Sequence, residues 1–238
     1  MPDTNGYQLA GLDKASKTSV GRALEMYARG AFLMGVEQGT DFGKLVDADD
    51  DTILWVSHSP RGGINLNDFH IPKKLKKELR KNSFEITIDQ DFEKVVELCG
   101  DRDSTWLTDA TKRIVFNIFK AGFAHSVEVR RQGKLIGGLY GITLGGVFFG
   151  ESIFNLEPNT GKIAMCHLVA RLRVGGFEML DSQMLVGFTE QMGGKNFGLD
   201  EFYDKLHHSL PLKANFFCNE EDIENEFNSM IAALPNGN

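Results

Sequence analysis

Residues 122–154 read GFAHSVEVRRQGKLIGGLYGITLGGVFFGESIF, and the fold follows from this stretch. Two β-prone runs, 124–131 and 134–143, flank Gln132-Gly133, a two-residue turn of the kind that closes a hairpin. A third run, 146–153, follows after Gly145-Gly146, so the spacing predicts an antiparallel meander. Within it, Leu135 to Gly150 is uncharged over 16 residues, six of them glycine. A membrane helix needs ~20 mostly apolar residues, so the run is expected to be buried sheet.

Downstream, 160–174 has helical spacing and ends at Gly175-Gly176, glycine being the usual residue just past a helix end. A strand is expected at 178–183. Upstream lie a helix at 108–121 behind Thr108 as N-cap, a helix at 90–99 and a strand at 84–88. A basic helix is expected to begin at Pro72, proline being favoured at a helix start. Nearer the N-terminus, 19–35 has helical spacing with Gly30 as its stop, 36–52 reads as an acidic exposed loop and 53–56 as a short strand. Residues 57–63 read as a turn. The expected organisation is α+β: a small N-terminal domain (1–68), a catalytic domain with a mainly antiparallel central sheet (69–208), and an acidic, loosely ordered tail with one weak helix (209–238). Pattern alone supports α+β with an antiparallel centre. The element order is that of a GNAT-like acyltransferase domain.

The 238 residues are 42% hydrophobic and 25% charged, which excludes a disordered or fibrous chain. A net charge of −7 argues against coating nucleic acid non-specifically, though not against a local basic patch. Cys99, Cys166 and Cys218 form no CxxC pair, so neither a metal site nor a disulfide framework is expected, and a reducing compartment fits. No signal peptide is evident at the N-terminus. A cytoplasmic, monomeric protein without a membrane span is expected.

Against the acidic background, residues 73–81 carry Lys73, Lys74, Lys76, Lys77, Arg80 and Lys81, six cations in nine positions. Five share much of one helix face at i, i+3, i+4 and i+7 spacing. Such a face suits phosphate contact with an RNA; the alternative is a solvated helix surface.

Several words between Trp55 and Gln183 resemble the bacterial leucyl/phenylalanyl-tRNA–protein transferases. They are His70-Ile71 with the basic helix after it, Thr105-Trp106-Leu107-Thr108, Gly122 to Val129, Gly137-Gly138-Leu139-Tyr140-Gly141, Phe149-Gly150-Glu151-Ser152-Ile153-Phe154 and Asp181-Ser182-Gln183. The resemblance implies an enzyme that takes Leu or Phe, with Met a further candidate, from aminoacyl-tRNA. It joins that residue to the N-terminal amine of proteins beginning with Arg or Lys, creating a degradation signal, with no metal and no diffusible cofactor. The family's His-Leu-x-Ser-Leu-Gly-Ala segment is replaced here by Phe188 to Gly194, downstream of the catalytic strand, where an acceptor peptide would approach.

By position, Leu139, Phe148, Ile153, Met165 and Leu168 match the family's apolar pocket for the aminoacyl side chain, though each taken alone would suit a core. Glu151 ends an apolar run, and a buried carboxylate needs a partner, a ligand ammonium being one. Asp181 and Gln183, two apart on a strand, are expected on the same side. An aminoacyl ester is already activated and an α-amine has pKa ~7.7–8.0, so no strong base is needed. Gln183 is expected to accept from the attacking amine and orient it, and Asp181 to fix Gln183, relay a proton or favour a cationic acceptor. Trp106 and Trp55 offer faces for the terminal adenine, with core packing favoured for Trp55. His125 reads as structural. Two rivals remain: an acyl-CoA N-acyltransferase, against which the nearest pyrophosphate-turn candidate, 171–176, ends a helix instead of starting one, and a non-catalytic tRNA- or peptide-binding module.

Overall fold

The computed structural model describes residues 6–81, 84–102 and 105–233; the outer ends of the expected N-terminal domain and tail lie outside these. The elements are β1 (Tyr7–Lys14), α1 (Val20–Ala28), β2 (Phe32–Gly35), α2 (Asp41–Leu45), β3 (Thr52–His58), β4 (Arg61–Asn65), α3 (Lys73–Leu79), β5 (Glu85–Ile88) and α4 (Phe92–Gly100). There follow α5 (Asp109–Lys120), β6 (Ala124–Arg131), β7 (Lys134–Leu144), β8 (Val147–Asn155), α6 (Thr160–Val174), β9 (Met179–Gln183), α7 (Gly187–Glu190), β10 (Lys195–Phe197), α8 (Leu199–Ser209) and α9 (Glu220–Ala232).

Strands β1, β3 and β2 form a small antiparallel sheet, in that order. The others form a seven-stranded sheet, β10-β4-β9-β8-β7-β6-β5, in which β8 and β9 alone are paired parallel among the described strands. The chain is thus α+β with a mainly antiparallel centre. The β6–β7 hairpin turns at Gln132 (φ 52) and Gly133 (φ 74), both in the left-handed region that a two-residue turn of this hand requires. Thr108 caps α5 by accepting from the Thr111 N–H, and α6 stops where Gly176 takes φ 76.

One face of the large sheet shares an apolar core with the small sheet, α1, α4 and α5, through Tyr27, Trp55, Ile114, Tyr140 and Phe149. The other face packs under α3, α6 and α9 through Leu139, Phe148, Ile163, Leu168 and Phe227. Between β6 and the β5–α4 connection runs a polar layer. Glu128, fully buried, accepts from Thr87, Ser126, Arg130 and the Asp91 N–H, so a carboxylate that would be costly alone is satisfied on every side.

The structure departs from the sequence expectations at identifiable places. Residues 61–65, of which 61–63 read as the end of a turn before a boundary at 68, are β4 of the large sheet. Residues 7–14 and 32–35 are strands of the small one, and 41–45 in the acidic loop is a short helix capped by Thr40. Pro72 is the residue before α3, not its first. The described part of the tail, up to residue 233, is not loose. Ile223, Phe227, Met230 and Ile231, at i, i+4, i+7 and i+8, face α6 and are buried, and His167 stacks on Phe227 with ring centroids 3.6 Å apart. Asn219 caps the helix, and Arg171–Glu220 and Arg173–Glu226 ion pairs at 2.7 and 2.8 Å flank the contact. Of the acidic residues that suggested disorder, Glu221, Asp222 and Glu224 face solvent, while Glu220 and Glu226 make these ion pairs.

Candidate active site

Strands β8 and β9 run side by side from Val147/Met179 to Phe149/Asp181 and then part: β8 continues to Asn155 while β9 ends at Gln183. A cavity of about 250 Å³ opens at the divergence. Leu139, Phe148, Ile153, Met165 and Leu168 all line it, joined by Leu180 and Phe188. Across from them stand Phe32, Leu33 and Met34 of β2, Tyr140, and Trp106. Polar groups on the lining include those of Glu151, Ser152, Ser182, Gln183, Tyr140 and Arg102.

Two interruptions of strand pairing aim the polar groups. In the β7–β8 ladder Tyr140 pairs with Ser152 and Gly141 with Gly150, so Glu151 is the extra residue of a bulge. In the β4–β9 ladder Gly62 pairs with Gln183 and Gly63 with Asp181, so Ser182 is extra there. Bulges of this kind re-aim side chains and concentrate near active sites. Gln183, beyond the second bulge, has φ 56. The alternation expected of a regular strand is therefore broken. Gln183 borders the cavity, but Asp181 does not, which corrects the expectation that the two share a side. Gly62 permits the close approach: a Cβ there would stand 2.2 Å from the Leu185 N.

Asp181 is fully buried and faces Arg61, itself 1% exposed. Arg61 Nε donates to Oδ1 at 2.9 Å and Nη2 to Oδ2 at 2.6 Å, and Oδ1 also accepts from the Gln183 N–H at 2.8 Å. Both Asp181 oxygens are thus engaged, and one of them holds the backbone of Gln183. Within the Gln183 side chain, Nε2 is buried with no partner among the described residues, as is the Tyr140 Oη. Unsatisfied buried donors cost about 1–3 kcal/mol each, so two of them on one cavity wall mark a surface shaped for a ligand.

Glu151 accepts from Tyr27 Oη at 3.0 Å. Burial raises its pKa from the ordinary carboxyl value of 4.5 to about 8, and the neighbouring Asp181 charge adds to the rise, while the Tyr27 bond and Arg61 oppose it. Near neutral pH its carboxyl is mostly protonated, the usual outcome for a carboxyl withdrawn from water beside another carboxylate. Tyr27 and Tyr140 are raised well above the ordinary phenol value, chiefly by burial, and remain protonated donors.

The remaining expected residues divide. Trp106 is half-buried on the cavity wall, its carbonyl accepting from the Gly35 N–H at 2.9 Å. Trp55 is core, fully buried, its Nε1 donating to Asp13 at 2.9 Å. His125 binds Asp89 at 2.7 Å and stacks on Phe216, away from the cavity. Cys166 is a buried thiol whose pKa burial pushes far up, not a nucleophile. On α3 and just past its end, Lys73, Lys74, Lys77 and Lys81 are exposed, whereas Lys76 is buried and donates to the Ala233 carbonyl at 2.5 Å, and Arg80 donates to the Ile231 carbonyl at 2.8 Å. Those two cations satisfy carbonyls at the C-terminal end of α9, where the helix dipole favours positive charge. Their placement corrects the reading of all six as one RNA-facing set. Arg61 and Tyr27 were given no site role from sequence, and Tyr140 only that of a large side chain in the glycine-rich sheet; the signal that could have found Arg61 was Asp181, a carboxylate with no cation assigned to it. Among the described residues no cluster of three or more His, Cys, Asp or Glu is placed to hold a metal ion, and no helix is long and apolar enough to cross a membrane.

The hollow is largely apolar, with the Gln183 carboxamide and the Glu151 carboxyl on its wall and Ser152 and Ser182 at its border. The relatives of the chain are transferases. The chain belongs to the leucyl/phenylalanyl-tRNA protein transferase family, whose pattern matches residues 64–207. It is 39% identical over 197 residues to the leucyl/phenylalanyl-tRNA–protein transferase of Paramagnetospirillum magneticum, covering 81% of this chain and 90% of that one. It is 36% identical to those of Maricaulis maris, covering 84% of this chain and 90% of the relative, and of Salinibacter ruber, covering 89% and 91%.

Proposed function

We propose that the protein moves Leu or Phe from aminoacyl-tRNA to the N-terminal α-amine of proteins that begin with Arg or Lys, creating a degradation signal. The observation that carries this reading is the cavity where β8 and β9 part, apolar around Leu139, Phe148, Ile153, Met165 and Leu168 and polar at Glu151 and Gln183. Burying a Leu or Phe side chain there is worth roughly 1.5–3 kcal/mol. The reaction needs no diffusible cofactor, since the ester already carries the driving force.

In the step itself the acceptor nitrogen attacks the ester carbonyl, the C–N bond forms, the bond from carbonyl carbon to the tRNA 3′-oxygen breaks, and the proton lost by nitrogen passes to that oxygen. Gln183 contributes orientation: its side-chain oxygen accepts from the amine and its Nε2–H is free to donate to the substrate. A neutral amide is too weak a base to hold the proton. Glu151 stands where the substrate's own ammonium would meet it. Binding a cation there draws the carboxyl proton off, so donor binding is coupled to proton release.

The exposed Lys73, Lys74, Lys77 and Lys81 supply a phosphate-contacting face for the tRNA, and Trp106 a surface for its terminal adenine. The divergence of two parallel-paired strands in an otherwise antiparallel sheet supports a GNAT-like reading of the large sheet, and the separate β1-β3-β2 sheet supports a small N-terminal unit. Function on tRNA and newly exposed N-termini fits a cytoplasmic monomer. The test is transfer of labelled Leu or Phe from charged tRNA to peptides beginning with Arg or Lys. Label on the peptide N-terminus is expected; labelled product from acyl-CoA but not from charged tRNA would overturn the reading.

A further inference from the structure

We propose that Arg61 is a positioning residue for the transfer step, acting through Asp181 to hold the Gln183 carboxamide in the cavity; this rests on the transferase reading above. The Gln183 Nε2 has no partner, so hydrogen bonds at that end of the side chain do not fix its direction. What fixes it is the backbone, and Gln183 holds φ 56, a conformation that a non-glycine residue keeps only when its surroundings impose it. The imposing contact is the Gln183 N–H bond to Asp181 Oδ1, the same oxygen that Arg61 Nε holds at 2.9 Å.

Arg61 is anchored on every side. Nη1 donates to the Gly30 carbonyl at 3.0 Å, and the guanidinium carbon lies 4.9 Å from the Phe32 ring centroid and 4.7 Å from that of Phe202. Phe32 also lines the cavity. One buried cation therefore ties the β2 wall of the cavity to the catalytic end of β9. A role in stability alone accounts poorly for it, because a buried ion pair is often no more stabilising than apolar side chains of the same volume. Its bidentate fork instead fixes an orientation, which lysine, a point charge, reproduces badly.

The experiment is a double-mutant cycle read by single-turnover transfer, with KM for charged tRNA measured alongside, on the full chain. Arg61→Met is expected to slow transfer about 100-fold and Arg61→Lys about 10-fold, because misplacing a reacting partner by ~1 Å costs on that order. KM for charged tRNA should stay within about 3-fold. In a Gln183→Ala background both Arg61 substitutions should cost less than about 3-fold, since the group they position is gone. Losses that multiply in the double variants would overturn the inference while leaving the transferase reading standing, as would a raised KM at an unchanged rate. A wild-type protein that transfers nothing would remove that reading and this inference with it. If Arg61→Met does not fold, Arg61→Lys in both backgrounds carries the same comparison.

Discussion

Tyr27 and Glu151, 124 positions apart, are joined by a hydrogen bond of 3.0 Å that links helix α1 to the bulge of β8. Because burial lifts the Glu151 pKa from 4.5 to about 8, the folded protein keeps a proton that the unfolded chain has released above about pH 4.5. Folding therefore takes up a proton between those values. On this account stability falls as pH rises from about 4.5 to about 8, and nothing further is lost above. Glu151→Gln copies the protonated form and removes this slope. Its melting temperature should be close to that of the wild type near pH 5 and higher at pH 8, measured by thermal denaturation across that range. Equal pH slopes in the two proteins would refute the assignment.

The same substitution separates stability from function. Gln cannot become an anion for the substrate ammonium, so Glu151→Gln should raise KM for charged tRNA by roughly 10-fold, a loss comparable with one charge-assisted hydrogen bond of about 1.5 kcal/mol. Wild-type binding should also release a proton, which calorimetry in buffers of differing ionisation enthalpy detects. The variant should release none through this group.

Met165 projects from α6 into the apolar end of the cavity and is 7% exposed. Met165→Trp adds bulk to a hollow of only about 250 Å³ and competes directly with a donor side chain. Overpacking costs about 1–3 kcal/mol, so the variant should still fold. Its KM for Phe-tRNA should rise more than that for Leu-tRNA, because the larger side chain loses its space first. An unchanged Leu/Phe ratio would mean that this end of the cavity does not receive the side chain.

How much of this was legible in the sequence depends on the range of the interactions involved. The meander at 124–155 and helix α6 could be read because strand alternation, the Gln132-Gly133 turn and the terminal glycines are local signals. Strand β4, Arg-Gly-Gly-Ile-Asn, has almost no intrinsic strand preference; it is a strand because β9, some 120 residues later, pairs with it. The bulges at Glu151 and Ser182 exist only relative to a partner strand, so no spacing along one chain reveals them. For the same reason the shared face expected of Asp181 and Gln183 was wrong, and Arg61 went unassigned until its carboxylate was in place. The pocket residues were legible through family words, not through apolarity, which cannot tell a cavity wall from a core. In α9 the i, i+4, i+7, i+8 pattern was present but masked by the acidic residues beside it.

Helix α9 yields a direct contrast between a packed element and a loose tail. Phe227 is 7% exposed and stacks on His167, whose own pKa burial lowers to about 3. Phe227→Ala should cost about 3 kcal/mol by denaturant unfolding, the range for removing a buried aromatic ring. In a loose tail the same change would cost almost nothing. Because His167 stays neutral in its stack, the wild type should lose stability as pH falls from about 6.5 towards 3: the depressed folded value means the unfolded chain takes up the proton first.

The basic helix gives two opposite outcomes from chemically similar residues. Lys73, Lys74, Lys77 and Lys81 are exposed, so reversing three of them to Glu should weaken tRNA binding and flatten its salt dependence, each lost phosphate contact removing close to one unit of slope. Melting temperature should hardly move, since exposed charges contribute little to stability. Lys76 and Arg80 instead hold the last carbonyls of α9. Lys76→Met should therefore lower stability by about 1–2 kcal/mol, as for a buried cation at a helix C-terminus, and the more exposed Arg80→Met by about 0.3–1 kcal/mol, while the salt slope of tRNA binding stays as it was. Filter binding at several salt concentrations beside a denaturant titration distinguishes the two sets. A change of salt slope in the Met variants would place Lys76 and Arg80 on the RNA after all, and an unchanged slope in the Glu variants would move the RNA surface off α3 altogether.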